Sequence, residues 1–105
     1  PYFSWRLAVS PMIDKRLKQL SKEEVFALLR RFWYDNALSP GEQTWGCLEN
    51  VATPDQIVFG TDWPFANASV TAEAMKTYRA LDAITPAQRA AIDRGNALRL
   101  FPEFA

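Results

Sequence analysis

The chain has 105 residues, 49% hydrophobic and 23% charged, with Lys+Arg 12 balanced by Asp+Glu 12. This is the length of one small domain with one core, and zero net charge offers neither a nucleic acid nor an anionic membrane an electrostatic handle. There is no histidine and one cysteine, Cys47, so a zinc site complete within these residues is not expected; a lone thiol makes no internal disulfide and fits a reducing, cytoplasmic setting.

The chain opens on the aromatic stretch Pro1-Tyr2-Phe3-Ser4-Trp5, which reads as mid-chain sequence, and the expectation is a piece of something longer. Pro11 to Leu20 can begin a helix. Ser21-Lys22-Glu23-Glu24 is a clearer signal: Ser21 can accept from the amide of Glu24 while that glutamate reaches back, a capping box. Val25, Leu28 and Leu29 recur at helical spacing, and Arg30 and Arg31 suit a last turn, which predicts a helix over 22–31.

Phe32-Trp33-Tyr34-Asp35 follows as an aromatic, strand-favouring run that ends in an acid. Ser39-Pro40-Gly41-Glu42 reads as a second capping box, opening a helix whose apolar face is Trp45, Leu48 and Val51 and which stops at Thr53-Pro54-Asp55. Ile57-Val58-Phe59-Gly60 is then a short apolar run of the kind buried on both faces in a parallel sheet. It delivers Asp62 to the strand's C-terminal mouth, where α/β proteins place ligands and catalytic groups. Strand, helix, strand in about thirty residues is a βαβ unit.

After Trp63-Pro64-Phe65 comes a small-residue loop, Ala66 to Ser69, and a helix predicted over 71–83 with Ala72, Met75, Tyr78 and Leu81 spaced by threes. Thr85-Pro86-Ala87-Gln88 is a third cap signal, opening a helix that runs to Gly95 as a left-handed cap. Asn96 to Leu100 makes a last short turn. The longest apolar runs fall far below the roughly 20 residues that span a bilayer. The heavy aromatic load is expected to fill the core, with Trp5, Trp33 and Trp63, near segment ends, the better candidates for a pocket lining.

Two parallel strands with helices on their faces leave unpaired edges and make no sheet of usual size. The expected fold class is therefore α/β, the C-terminal fragment of a (β/α)8 barrel with about its last two strands and their helices, residues 1–105 being one part of a single barrel domain.

Three segments carry a family resemblance over nearly the whole chain. Phe59-Gly60-Thr61-Asp62-Trp63-Pro64-Phe65 resembles the eighth-strand signature of the amidohydrolase-related metal-dependent enzymes, a family that includes aminocarboxymuconate-semialdehyde decarboxylase and 6-methylsalicylate-type decarboxylases. Trp33 to Ser39 is similar to its seventh-strand segment, and Gly95-Asn96-Ala97-Leu98-Arg99-Leu100-Phe101 to its closing helix. The resemblance implies a divalent metal, usually zinc, held by histidines on earlier strands and by the eighth-strand aspartate, here Asp62, which can also shuttle a proton. It implies a small aromatic or unsaturated carboxylic acid as substrate, losing CO2, with hydrolysis of an amide, lactone or ester as the alternative.

Pro1 to Arg6 resembles the segment after the family's sixth strand, so Arg6 is matched to the residue that clasps the substrate carboxylate, in some members from a neighbouring subunit of a homo-oligomer, here expected as a dimer. A guanidinium does this in two parallel hydrogen bonds that lysine cannot reproduce. Trp63 is expected to wall the pocket, Asp35 and Asn96 to be structural, and Asp62 has the alternative of a turn or helix-cap aspartate. Two other readings are an inert α/β module that binds a partner through its aromatic surface, and a tautomerase-like use of a Pro1 amine.

Overall fold

The computed structural model describes residues 2–105, and Tyr2 by its backbone alone; the Pro1 reading lies outside the described residues. The N-terminal part is helical: α1 (Tyr2–Ala8), the short α2 (Ser10–Ile13) and α3 (Lys22–Leu29), with α1 packed on α3. Ser21 caps α3 as its sequence predicts, accepting from the Glu24 amide at 3.1 Å while the Ser21 amide donates to Glu24 Oε2 at 2.7 Å. The helix stops at Leu29, so Arg30 and Arg31 stand beyond it rather than in its last turn.

The strands are shorter than their apolar runs. β1 (Tyr34–Asp35) and β2 (Ile57–Val58) pair in parallel, Tyr34 opposite Ile57 and Asp35 opposite Val58, and are joined through α4 (Glu42–Leu48). This is the expected βαβ unit. The cap of α4 differs from the predicted one: Leu38 has φ 55° and Ser39 donates its amide to the Asn36 carbonyl at 3.2 Å, so Ser39 belongs to a turn. Gly41 takes the cap position instead, with no side-chain hydrogen bond. A separate 3-10 turn, Pro54–Gln56, leads into β2.

α5 (Ala68–Arg79) begins three residues before the predicted start because Asn67 caps it, accepting from the Val70 amide at 3.0 Å. The remainder is one helical rod of changing pitch: α6 (Pro86–Ala90), a π turn at Ala91–Gly95, and α7 (Asn96–Leu100). Thr85 caps α6 as expected, with Gln88 reaching back. Gly95 is no left-handed cap; at φ −57°, ψ −42° it continues the helix.

The core gathers Trp45 from α4, Ile57 from β2, Tyr78 from α5, Leu81 and Ile84 beyond it, and Ile92 from the π turn, with Leu48 and Phe59 packed against them. Ile57 and Ile92 are almost wholly enclosed, each burial worth about 1.5–3 kcal/mol. Arg89 ties α6 to α5, its guanidinium donating to the Tyr78 and Leu81 carbonyls, both at 2.6 Å, and lying 4.9 Å from the Tyr78 ring centroid. The Tyr78 carbonyl, which also accepts from the Leu81 amide at 3.2 Å, and the Leu81 carbonyl lie where α5 ends and its last acceptors need partners from outside the helix.

The aromatic load does not fill this core. Trp45 and Tyr78 do, whereas Phe3, Trp5, Phe32, Trp63, Phe65, Phe101 and Phe104 are exposed. A cluster drawn from one βαβ unit and its flanking helices has no room for the rest. The radius of gyration, 15.8 Å, exceeds the about 13 Å of a compact domain of this length.

β2 is not left with an open second edge. Along a strand, alternate residues turn their backbone groups to opposite sides. Val58 accepts from the Asn36 amide on the β1 side at 3.3 Å. On the other side the Asn96 carboxamide donates to the Ile57 carbonyl at 2.7 Å, and the Phe59 amide donates to the Ile92 carbonyl at 3.0 Å. The C-terminal rod thus occupies the places a further strand would take.

Candidate functional site: the C-terminal end of the strand pair

Beyond Val58 the two strands stay in register without forming a ladder. The side chain of Asn36, which follows β1 and is buried, accepts from the Gly60 amide through Oδ1 at 3.0 Å. The approach is close: a Cβ at Gly60 would lie 3.4 Å from the β-carbons of both Asp35 and Ala37. Asp35 itself is turned back on its own strand end, Oδ1 accepting from the Ala37 amide at 2.9 Å. That engagement is structural, as the residue type at a turn suggests.

Asp62 follows two residues after Gly60, exposed and with φ 60°. Aspartate tolerates this left-handed backbone better than most residues, and residues held there cluster at functional sites. Its carbonyl accepts from the Ala66 amide at 2.8 Å, closing the turn that holds Trp63-Pro64-Phe65, with the Trp63-Pro64 bond cis. Among the described residues its carboxylate makes no hydrogen bond or ion pair. The helix-cap alternative is not what the geometry shows, because Asn67 caps α5.

Trp63 is exposed beside Asp62, its amide donating to Thr61 Oγ1 at 3.3 Å. Arg6 is exposed on α1, which rests on α3 and α2, and among the described residues no ion pair joins it to Asp62. The structure therefore sets Asp62 and Trp63 side by side and leaves Arg6 on a different element. Trp33 is half-buried under the Arg99 guanidinium, 5.2 Å from its ring centroid; Arg99 also meets Asp55, as an ion pair at 3.7 Å and at its carbonyl.

A pocket of about 220 Å³ lined by Phe59, Met75, Tyr78, Arg79, Arg89 and Asp93 opens between α5 and the C-terminal rod. There the Tyr78 hydroxyl donates to Asp93 Oδ1 at 2.7 Å. Burial pushes the Tyr78 hydroxyl well above the usual phenol range, and the hydrogen bond to Asp93 and its charge add to this, against a smaller opposite effect of Arg89. None of Arg6, Asp62 and Trp63 lines this pocket.

No group of three His, Cys, Asp or Glu gathers closely enough among the described residues to hold a metal. The donor the site offers is a single carboxylate, a hard oxygen ligand without a competing partner, which suits one ligand position of a divalent cation and no more. Sequence reasoning singled out Asp62 and passed over Asn36, whose signal was a lone carboxamide directly after a strand-end acid.

The chain belongs to the amidohydrolase family: the family model matches residues 12–102. It is 31% identical over 102 residues to a 6-methylsalicylic acid decarboxylase of Penicillium expansum, covering 97% of this chain and 31% of that protein. It is 26% identical over 96 residues to the decarboxylase yanB of Aspergillus niger, covering 89% of this chain and 26% of the relative. The chain thus spans less than a third of the length of these curated relatives. No solved structure matches it significantly. Among the described residues no helix is long and apolar enough to cross a membrane.

Proposed function

We propose that these residues are the C-terminal part of a metal-dependent (β/α)8 barrel enzyme that decarboxylates a small aromatic or unsaturated carboxylic acid, β1 and β2 being its last two strands. The observation that carries the reading is Asp62: a carboxylate with no partner among the described residues, four positions beyond the C-terminal end of the parallel strand β2, on a left-handed backbone. That end of a barrel strand is where catalytic groups of such folds stand. The matched relatives are both decarboxylases, which favours loss of CO2 over hydrolysis of an amide, lactone or ester.

In this reading Asp62 is one ligand of a divalent metal, most simply zinc, whose other ligands come from outside these residues. The chemistry such a metal supplies when bound is a water acidified toward a pKa of about 7. Asp62 would hold or pass a proton at a carboxylate oxygen, Trp63 would wall the pocket, and Arg6 would clasp the substrate carboxylate in a bidentate pair, within one subunit or across a homodimer. The exposed aromatics and the uncovered side of β1 would meet the remainder of the barrel. Closing that barrel brings a further strand to the second edge of β2, so the reading requires the C-terminal rod to yield the Phe59 amide there, or the closing strand to pair beyond it. The cytoplasm is the compartment proposed.

The test is Asp62→Ala in the full-length enzyme. Turnover of an aromatic carboxylic acid is expected to vanish, and near-normal activity sinks the assignment.

A further inference from the structure

We infer that Asn36 is a positioning residue for Asp62, acting through the Gly60 amide; this rests on the proposed role of Asp62 as a metal ligand. Among the described residues the carboxamide of Asn36 is the side chain whose hydrogen bond crosses from the end of β1 to the segment after β2. Asn36 is buried, its Oδ1 accepts from the Gly60 amide at 3.0 Å, and its backbone amide donates to the Val58 carbonyl at 3.3 Å. Asn36 therefore grips β2 at Val58 and Gly60, on either side of Phe59.

Phe59 is held from the opposite side by the Ile92 carbonyl at 3.0 Å. The strand end is clamped between a carboxamide on one flank and a helix carbonyl on the other. Thr61 is the only residue between that clamp and Asp62, so the direction in which the Asp62 backbone leaves β2 is set where Asn36 holds Gly60. The backbone at Asp62 is left-handed, a conformation aspartate tolerates, and the Ala66 amide holds it at the Asp62 carbonyl while Gly60 fixes where the turn begins. Releasing Gly60 frees the chain to relax and lets the carboxylate wander from a ligand position that tolerates little displacement.

The experiment uses the full-length enzyme, stripped of metal, and measures its zinc affinity by competition with a chromogenic chelator, alongside apoenzyme stability in urea. Asn36→Ala removes the acceptor and is expected to weaken zinc binding by about ten-fold, the lower end of what losing a group that orients a metal ligand costs, because Asn36 acts through the backbone and does not touch Asp62. Asn36→Asp, isosteric and still an acceptor, restores the greater part of it. Should Asn36→Ala fail to fold, Asn36→Ser gives the same comparison, since its hydroxyl is one bond too short to reach the amide. A purely structural role lowers urea stability and leaves the zinc affinity of the folded apoenzyme at the wild-type value, which overturns the inference. Asp62→Asn run in parallel separates the two claims: zinc affinity lost at Asp62 but not at Asn36 overturns the inference alone, and zinc affinity unchanged at Asp62 overturns the ligand reading and the inference with it.

Discussion

The carboxamide of Asn96 donates both to the Ile57 carbonyl at 2.7 Å and to the Pro54 carbonyl at 2.8 Å, joining the C-terminal rod to the two ends of one short segment. Asn96 is 2% exposed, so this junction is sealed from solvent in the folded chain. The strand that presents Asp62 thus depends on a residue nearly forty positions further along the chain.

Asn96→Ala leaves the carbonyl of buried Ile57 without its donor, while the Pro54 carbonyl keeps the Ile57 amide, and should destabilise the fold by about 1–3 kcal/mol. Urea unfolding of the full-length protein checks this. Asn96→Asp should be at least as damaging, since a carboxylate offers these carbonyls no donor, and an unchanged midpoint in both variants would show that the junction carries no stability.

Tyr78 makes stability fall in alkali. Its folded pKa lies above the unfolded value, so the protonated phenol's contribution is fully present below the unfolded value of about 10 and is lost as pH rises from there toward the folded value. Tyr78→Phe should lower the urea midpoint at pH 8 through loss of the Asp93 bond and show a smaller further decline at pH 11 than wild type. Equal declines in the two proteins would remove Tyr78 from the alkaline transition.

Arg6→Ala should raise KM for a carboxylate substrate while leaving stability near wild type, because Arg6 is exposed and makes no ion pair among the described residues. Arg6→Lys should recover only part of the loss, as a point charge cannot reproduce the bidentate pair. Steady-state kinetics decide it, and unchanged parameters take Arg6 out of the site.

Residues 1–105 produced alone should be inactive and self-associating, because Trp5, Trp63, Phe65 and Phe104 are each more than 60% exposed and form apolar surface that seeks a partner. Sedimentation velocity would show this. A sharp thermal transition from a monomer would contradict it.

Much of the local structure was legible because it is decided locally. The Ser21 and Thr85 caps pair with glutamate and glutamine three residues on, and proline at the start of α6 needs no distant partner. The βαβ order could be read from an apolar run, a helical repeat and a second run within about thirty residues. Where a cap motif competed with a turn the reading failed, as at Ser39, whose amide the Asn36 carbonyl takes.

What only tertiary structure decided is how the strand end is held. No spacing rule links Asn36 to Gly60, Phe59 to Ile92 or Asn96 to Ile57, since these hydrogen bonds join residues 24 or more positions apart and form only when the strands and the C-terminal rod have packed. The chain's residues by themselves determine the acid at the end of an apolar strand and the family to which that motif belongs. The exposure of most aromatics and the placing of that acid follow from packing, because burial and backbone direction depend on which elements meet, and a linear pattern of side chains does not encode that.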